Sequence, residues 1–258
     1  MSHPSDNPQV GLFVTCLVDL FRPNIGFSAV ELLERAGCQV SVPPTQTCCG
    51  QPAYNSGDWA DTKDIATQVI KAFDRFDYVV APSGSCAGMI KKHYPSLFEE
   101  GDPLRAKAEA LSAKTFELIS FLVDVRGVSN ISAKLDSKVT YHDSCSGLRE
   151  LGIASQPRLL LDKVEGVELI EMKDPDVCCG FGGTFCVKYS DISNAIVEKK
   201  TTNIKDSGAD MLLAGDLGCL MNMAGKLKRE GSPIQARHVA EVLAGRTDVP
   251  AIGEGKEG

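Results

Sequence analysis

Hydrophobic and polar positions along the chain change period several times, and each change predicts an element. Val10 to Thr15 is a short β-favouring apolar run that ends at Cys16. Helical spacing follows over 28–36 and closes at Gly37, and 38–42 reads as a second short strand. Asp58 is placed to cap a helix in which Trp59, Ala66, Val69, Ile70, Phe73 and Phe76 recur on one face, predicted to look into a core. Tyr78 to Ala81 is a third apolar strand, running into "PSGSC" and a short helix from about Cys86. Apolar residues then recur at helical spacing over 104–125, which predicts one long amphipathic helix. Beyond it come strands near 138–141, 167–170 and 210–214, with helices near 156–163 and 191–206. Residues 234–243 predict a final strand and helix.

The second series repeats the first. "VGLFVTC", "TCCG" and "YVVAPSGSC" are answered by "KVTYHDSC", "VCCG" and "DMLLAGDLGC", with matching cysteines offset by 129, 130 and 133 residues. Near-constant offsets imply a tandem duplication. Strands alternating with helices imply an α/β fold with mainly parallel sheets, in two pseudo-symmetric repeats. The expected organisation is a first cysteine-rich repeat over 8–100, a helical connector over 101–136 and a second repeat over 137–248. Cys16, Cys48, Cys49 and Cys86 each follow the C-terminal end of an expected strand, as do Cys145, Cys178, Cys179 and Cys219. Parallel strands bring such ends to one rim, so four thiols should gather in each half.

Composition narrows the chemistry. A net charge of −7 over 258 residues argues against nucleic acid or an anionic membrane as partner. No apolar run approaches the roughly 20 residues of a spanning helix. "MSHPSDNPQV" lacks the basic and apolar regions of a secretory signal, so the expected location is the cytoplasm. Ten cysteines in such a chain point to metal or redox chemistry rather than disulfides.

The spacings are C-x31-CC-x36-C and C-x32-CC-x39-C. Zinc sites usually take close pairs such as CxxC, whereas this reach, with adjacent thiols, favours a larger iron–sulfur object. Gly50, Gly180, Gly182 and Gly183 let backbone approach and offer N–H donors to cluster sulfides, and Gly84 and Gly218 precede the last thiols for the same use. His142 is a candidate iron ligand or donor to a sulfide, set against a loop histidine with a structural hydrogen bond. Asp143 is read as a tuning charge or a turn cap. Cys38 reads as a small hydrophobe and Cys186 as packing, with an alternative as ligand or reactive thiol. His93 and His238 are assigned no chemistry, and "GFGG" lacks the residues of a phosphate loop. Lys199–Lys200 and Lys226–Arg229 read as solvated helix faces, or as a basic patch that docks a partner.

These motifs resemble the CCG cysteine-rich domain found in heterodisulfide reductase and in the iron–sulfur subunits of glycolate- and glycerol-3-phosphate-oxidising complexes. "LFVTCLVDLFRPNIG", "CCGQPAYNSG", "APSGSC", "CCGFGGTF" and "GCLMNMAGKL" resemble more closely the lactate utilisation protein A family, over about 10–245. The resemblance implies an iron–sulfur subunit, inactive alone, of a multiprotein NAD-independent system that oxidises L-lactate to pyruvate with other subunits. The wider CCG pattern closes with CxxC, but Met89 and Asn222 stand where its fifth thiol would be. Four thiolates match a [4Fe–4S] cluster in number, one or two per chain. Two alternatives remain: a catalytic cluster acting on thiols and disulfides, and a zinc- or cluster-dependent sensor or interaction module.

Overall fold

The structure is a computed structural model that describes residues 7–255. It divides into two units, one ending at Val128 and one beginning at Ser129. The first unit contains β1 (Gln9–Leu12), α1 (Cys16–Phe21), α2 (Pro23–Arg35), β2 (Gln39–Ser41), α3 (Gln51–Asn55) and α4 (Trp59–Phe73). It continues with β3 (Tyr78–Ala81), α5 (Gly84–Gly88), α6 (Pro103–Ala113), β4 (Thr115–Glu117) and α7 (Leu118–Ser120), which runs on as a π-helical turn to Val125. The second contains β5 (Lys134–His142), α8 (Ser155–Leu161), β6 (Glu165–Leu169), α9 (Phe185–Lys188) and α10 (Ser190–Asp206). It ends with β7 (Met211–Ala214), α11 (Leu217–Arg229), β8 (Gln235–His238) and α12 (Val239–Ala244).

Each unit is built on a four-stranded sheet, ordered β2-β1-β3-β4 in the first and β6-β5-β7-β8 in the second, and all the pairings are parallel. The expected α/β duplication is therefore present. The most apolar strands lie in the middle. "MLLA" of β7 is buried throughout, because a central parallel strand is covered on both faces by helices. In α4, Asp58 caps the first turn by accepting from the Asp61 N–H at 3.1 Å, and Thr62, Ala66, Val69, Ile70 and Phe73 form its buried face. Each apolar side chain fully buried there contributes on the order of 1.5–3 kcal/mol.

Two expectations about the fold are corrected. Residues 104–125 do not form one helix. α6 stops at Ala113, and Thr115–Glu117 pairs with Val79–Ala81 as the fourth strand of the first sheet. Residues 104–125 lie in the first unit. Trp59 is 58% exposed instead of core-facing. It sits in the first residue of α4, ahead of the buried stripe, and packs edge-on against Tyr54 with ring centroids 5.0 Å apart.

Among the described residues no helix is long and apolar enough to cross a membrane.

Candidate metal centre

In the first unit, three separate loops deliver the thiols to the C-terminal rim of the sheet. Cys16 opens α1, whose first turn is capped by the Thr15 hydroxyl accepting from the Val18 N–H at 3.3 Å. Cys48 and Cys49 lie in the loop after β2, and Gly50 at φ 83° turns that loop into α3. Cys86 is the third residue of α5, and its N–H donates to the capping Ser83 hydroxyl at 3.3 Å. The Cys16 and Cys48 sulfurs stand 3.9 Å apart. Cys48 also meets Cys49, which in turn meets Cys86, so the four thiols form one connected group. The Gly50 N–H donates to Cys48 Sγ at 3.4 Å, and the Tyr94 hydroxyl donates to the Cys49 carbonyl at 2.9 Å.

The second unit repeats this arrangement. Cys145 is joined to Cys178, Cys178 to Cys179, and Cys179 to Cys219 near the start of α11. The Gly180 N–H donates to Cys178 Sγ at 3.3 Å, and the Asn222 amide donates to the Cys179 carbonyl at 2.8 Å. Asn222 thus occupies the place of the fifth thiol of the wider pattern and holds the twin-cysteine loop. Met89, at the same place in the first unit, is packed in the core.

The electrostatics are also duplicated. Hydrogen bonds from Cys16 and Cys49, and from the Gly50 N–H, draw Cys48 down to about 3 against the opposing effect of burial. Cys178 is drawn down to about 2 by Cys145, Cys179 and Gly180. The donors move the other way: Cys16, Cys49, Cys145 and Cys179 are all raised, first because each gives its proton to a neighbouring sulfur and then by desolvation. Cys219 is raised too. Its contact with Cys179 pulls it down, but desolvation and the Asp216 carboxylate outweigh that pull. Each set thus holds a sulfur strongly stabilised as thiolate among neighbours that a cation would deprotonate.

His142 is the last residue of β5, not a loop residue, and is fully buried. Neither ring nitrogen has a hydrogen-bond partner of normal geometry. Burial, and then the nearby Lys200 charge, push its pKa down to about 3, with the Pro175 carbonyl offsetting only part. A neutral imidazole with an unused lone pair is suited to a metal. Its ligand atom lies within 4.8 Å of those of Cys179 and Cys219.

Four converging thiols, an uncommitted imidazole and backbone N–H groups on sulfur fit a metal ion or an iron–sulfur cluster. The family model of the CCG cysteine-rich domain matches residues 10–91 and 139–224, one match around each thiol set. Lactate utilization protein A of Macrococcus caseolyticus is 50% identical over 235 residues, covering 91% of this chain and 96% of that protein. Lactate utilization protein A of Geobacillus kaustophilus is 50% identical over 239 residues, covering 92% and 99%. The chain belongs to this lactate utilization protein A family. Its fold is shared with a hypothetical protein from Helicobacter pylori, at a TM-score of 0.58 and 13% identity over 98% of this chain and 51% of that one. The chain spans about half the length of that protein.

Other expected site residues of this family member fall around the thiols in different ways. Gly84 is the buried first residue of α5. Gly182 and Gly183, at φ 53° and 65°, shape the turn that leads to α9. At Gly218, a Cβ would stand 2.4 Å from the Phe181 ring, so a larger residue there would displace that ring. Cys38 is buried, as expected of a small hydrophobe. Cys186 donates to the Gly183 carbonyl at 3.6 Å, outside the four-thiol chain. Asp143 takes a bidentate ion pair from Arg158 at 2.9 Å to both oxygens.

Lys200 requires a correction. It was expected on a solvated face, yet it is fully buried, with Nζ donating to the carbonyls of Asp174 at 3.2 Å and Pro175 at 2.7 Å. A run of charges in a helix reads as exposed. Only the repeat marks this lysine, because it falls on the buried stripe that α4 fills with Val69.

Proposed function

We propose that the chain serves lactate utilisation as an electron-carrying iron–sulfur subunit of an NAD-independent L-lactate oxidation system in the cytoplasm. In this reading Cys16, Cys48, Cys49 and Cys86 hold one cluster, and Cys145, Cys178, Cys179 and Cys219 hold a second. The observation that carries it is the convergence of four thiols in each unit, with a CCG glycine N–H donating to sulfur in both. Kinship with lactate utilization protein A supports the physiological setting. Oxidation of lactate to pyruvate removes two electrons and two protons, from the C2–H bond and the hydroxyl. A bound cluster takes and passes on electrons one at a time.

The chain's own residues have narrower tasks. The thiols supply the ligands, Gly50 and Gly180 donate to their sulfurs, and Tyr94 and Asn222 fix the carbonyls of Cys49 and Cys179. His142 is a further donor at the second set. The hydroxyacid chemistry belongs to partner subunits, and the chain alone turns over no lactate.

The test is iron, acid-labile sulfide and zinc per chain after anaerobic purification. About eight irons with matching sulfide are expected for two [4Fe–4S] clusters. Stoichiometric zinc without sulfide, persisting through anaerobic reconstitution, would sink this reading in favour of a zinc-dependent interaction module. A second reading, a cluster acting directly on a thiol or disulfide substrate, is favoured by a cleft of about 360 Å³ that opens onto Cys16 and Cys48 between Leu20, Val42 and Pro44. Reduction of a small disulfide to two thiols by the loaded chain alone, with dithionite as electron source, would support it.

A further inference from the structure

The two thiol sets are duplicated, but their surroundings are not. The buried stripe Thr62, Ala66, Val69, Ile70, Phe73 of α4 recurs in α10 as Ser193, Val197, Lys200, Thr201, Ile204, each 131 residues later. Lys200 therefore takes the place of Val69. In the sheets, the pair Val10–Tyr78 corresponds to Val139–Met211, which sets His142 at the place of Phe13 and Asp216 at that of Ser83. Positions that are apolar or neutral around the first set are titratable or charged around the second.

Lys200 is the cation among them. Its ammonium is anchored on the carbonyls of Asp174 and Pro175, four and three residues before Cys178, and its charge acts on Cys179 and Cys219. Burial draws its pKa down to about 8, with Asp143 first among the groups that hold it up. Asp216 acts on Cys219 in the opposite sense. Asp143, also close, is tied to Arg158. A buried charge in a poorly screened site is felt far more strongly than one at the surface.

We propose that Lys200 is a positioning residue for charge at the second thiol set. It stabilises the reduced state of a cluster held by Cys145, Cys178, Cys179 and Cys219 and gives that site a reduction potential set independently of the first. The proposal rests on the cluster reading above. Uptake of one electron from a one-electron donor adds one negative charge and breaks no bond. The Lys200 ammonium offsets that charge where Val69 offers nothing.

The experiment is a redox titration of the full chain, reconstituted anaerobically with ferrous iron and sulfide, reduced stepwise by dithionite and followed by electron paramagnetic resonance. Cys178→Ser identifies the wave of the second unit by its loss. Lys200→Met is expected to move that wave to lower potential and leave the other in place. Lys200→Arg, which keeps the charge, should restore it, and Asp216→Asn should move it upward. If Lys200→Met fails to fold, Lys200→Gln removes the charge while keeping a donor for the two carbonyls. An iron-loaded Lys200→Met or Lys200→Gln chain with both waves unmoved, or both moved alike, overturns this proposal alone. A wild-type chain that takes up zinc and no sulfide overturns the cluster reading and this proposal with it.

Discussion

Gly180 sits at φ 78° with its N–H on the Cys178 sulfur, and a Cβ there would stand 2.7 Å from the Ser193 carbonyl oxygen. Gly57, at the same φ of 78°, has nothing within 4 Å of its Cβ position. The pair separates backbone strain from steric conflict. Gly57→Ala should cost about 1–2 kcal/mol, the cost of left-handed backbone for an L-residue. Gly180→Ala should cost more and should also lower the metal retained by the second unit. Chemical unfolding of the metal-free variants, with iron analysis of the loaded ones, checks both. The cysteines and the CCG glycines were legible in the sequence because few other chemistries need those residues at that spacing. Lys200 was not, since its ammonium is satisfied by two carbonyls of a loop 25 and 26 residues away, which no local pattern records. Tyr94 and Asn222 escaped for the same reason: each acts through a single hydrogen bond to a distant cysteine carbonyl.

Among the elements, β4 was the one most thoroughly hidden. Buried Ala108, Leu111, Thr115, Leu118 and Leu122 are spaced three or four apart, so helical periodicity passes straight through a three-residue strand. The longer apolar strands and the capped helix α4 were legible because pattern and capping agree there. Glu117 distinguishes the two descriptions of 104–125. It is buried, and its carboxylate accepts from the Ile119 and Ser120 N–H groups at 2.8 and 3.0 Å, capping α7. In the middle of one long helix, Glu117→Ala would be close to neutral, because alanine is the better helix former. As a cap it should lose about 1–2 kcal/mol. The midpoint of urea unfolding decides between them. His238 ends β8 in the same register and caps α12, so the duplication reaches further than the cysteines that first revealed it.

For the whole molecule, two units with separate sheets imply separate loading. Cys48→Ser should remove about four of about eight irons and leave the second unit's signal intact, and Cys178→Ser should do the reverse. Loss of all iron from either single variant would show that the two thiol sets share one site or fold cooperatively. The duplication also fixes a ratio. One round of translation delivers both thiol sets in equal number, so their proportion does not depend on the expression of separate genes. On the cluster reading, a lesion in one set would leave a half-loaded chain that still carries an undamaged copy as its internal standard.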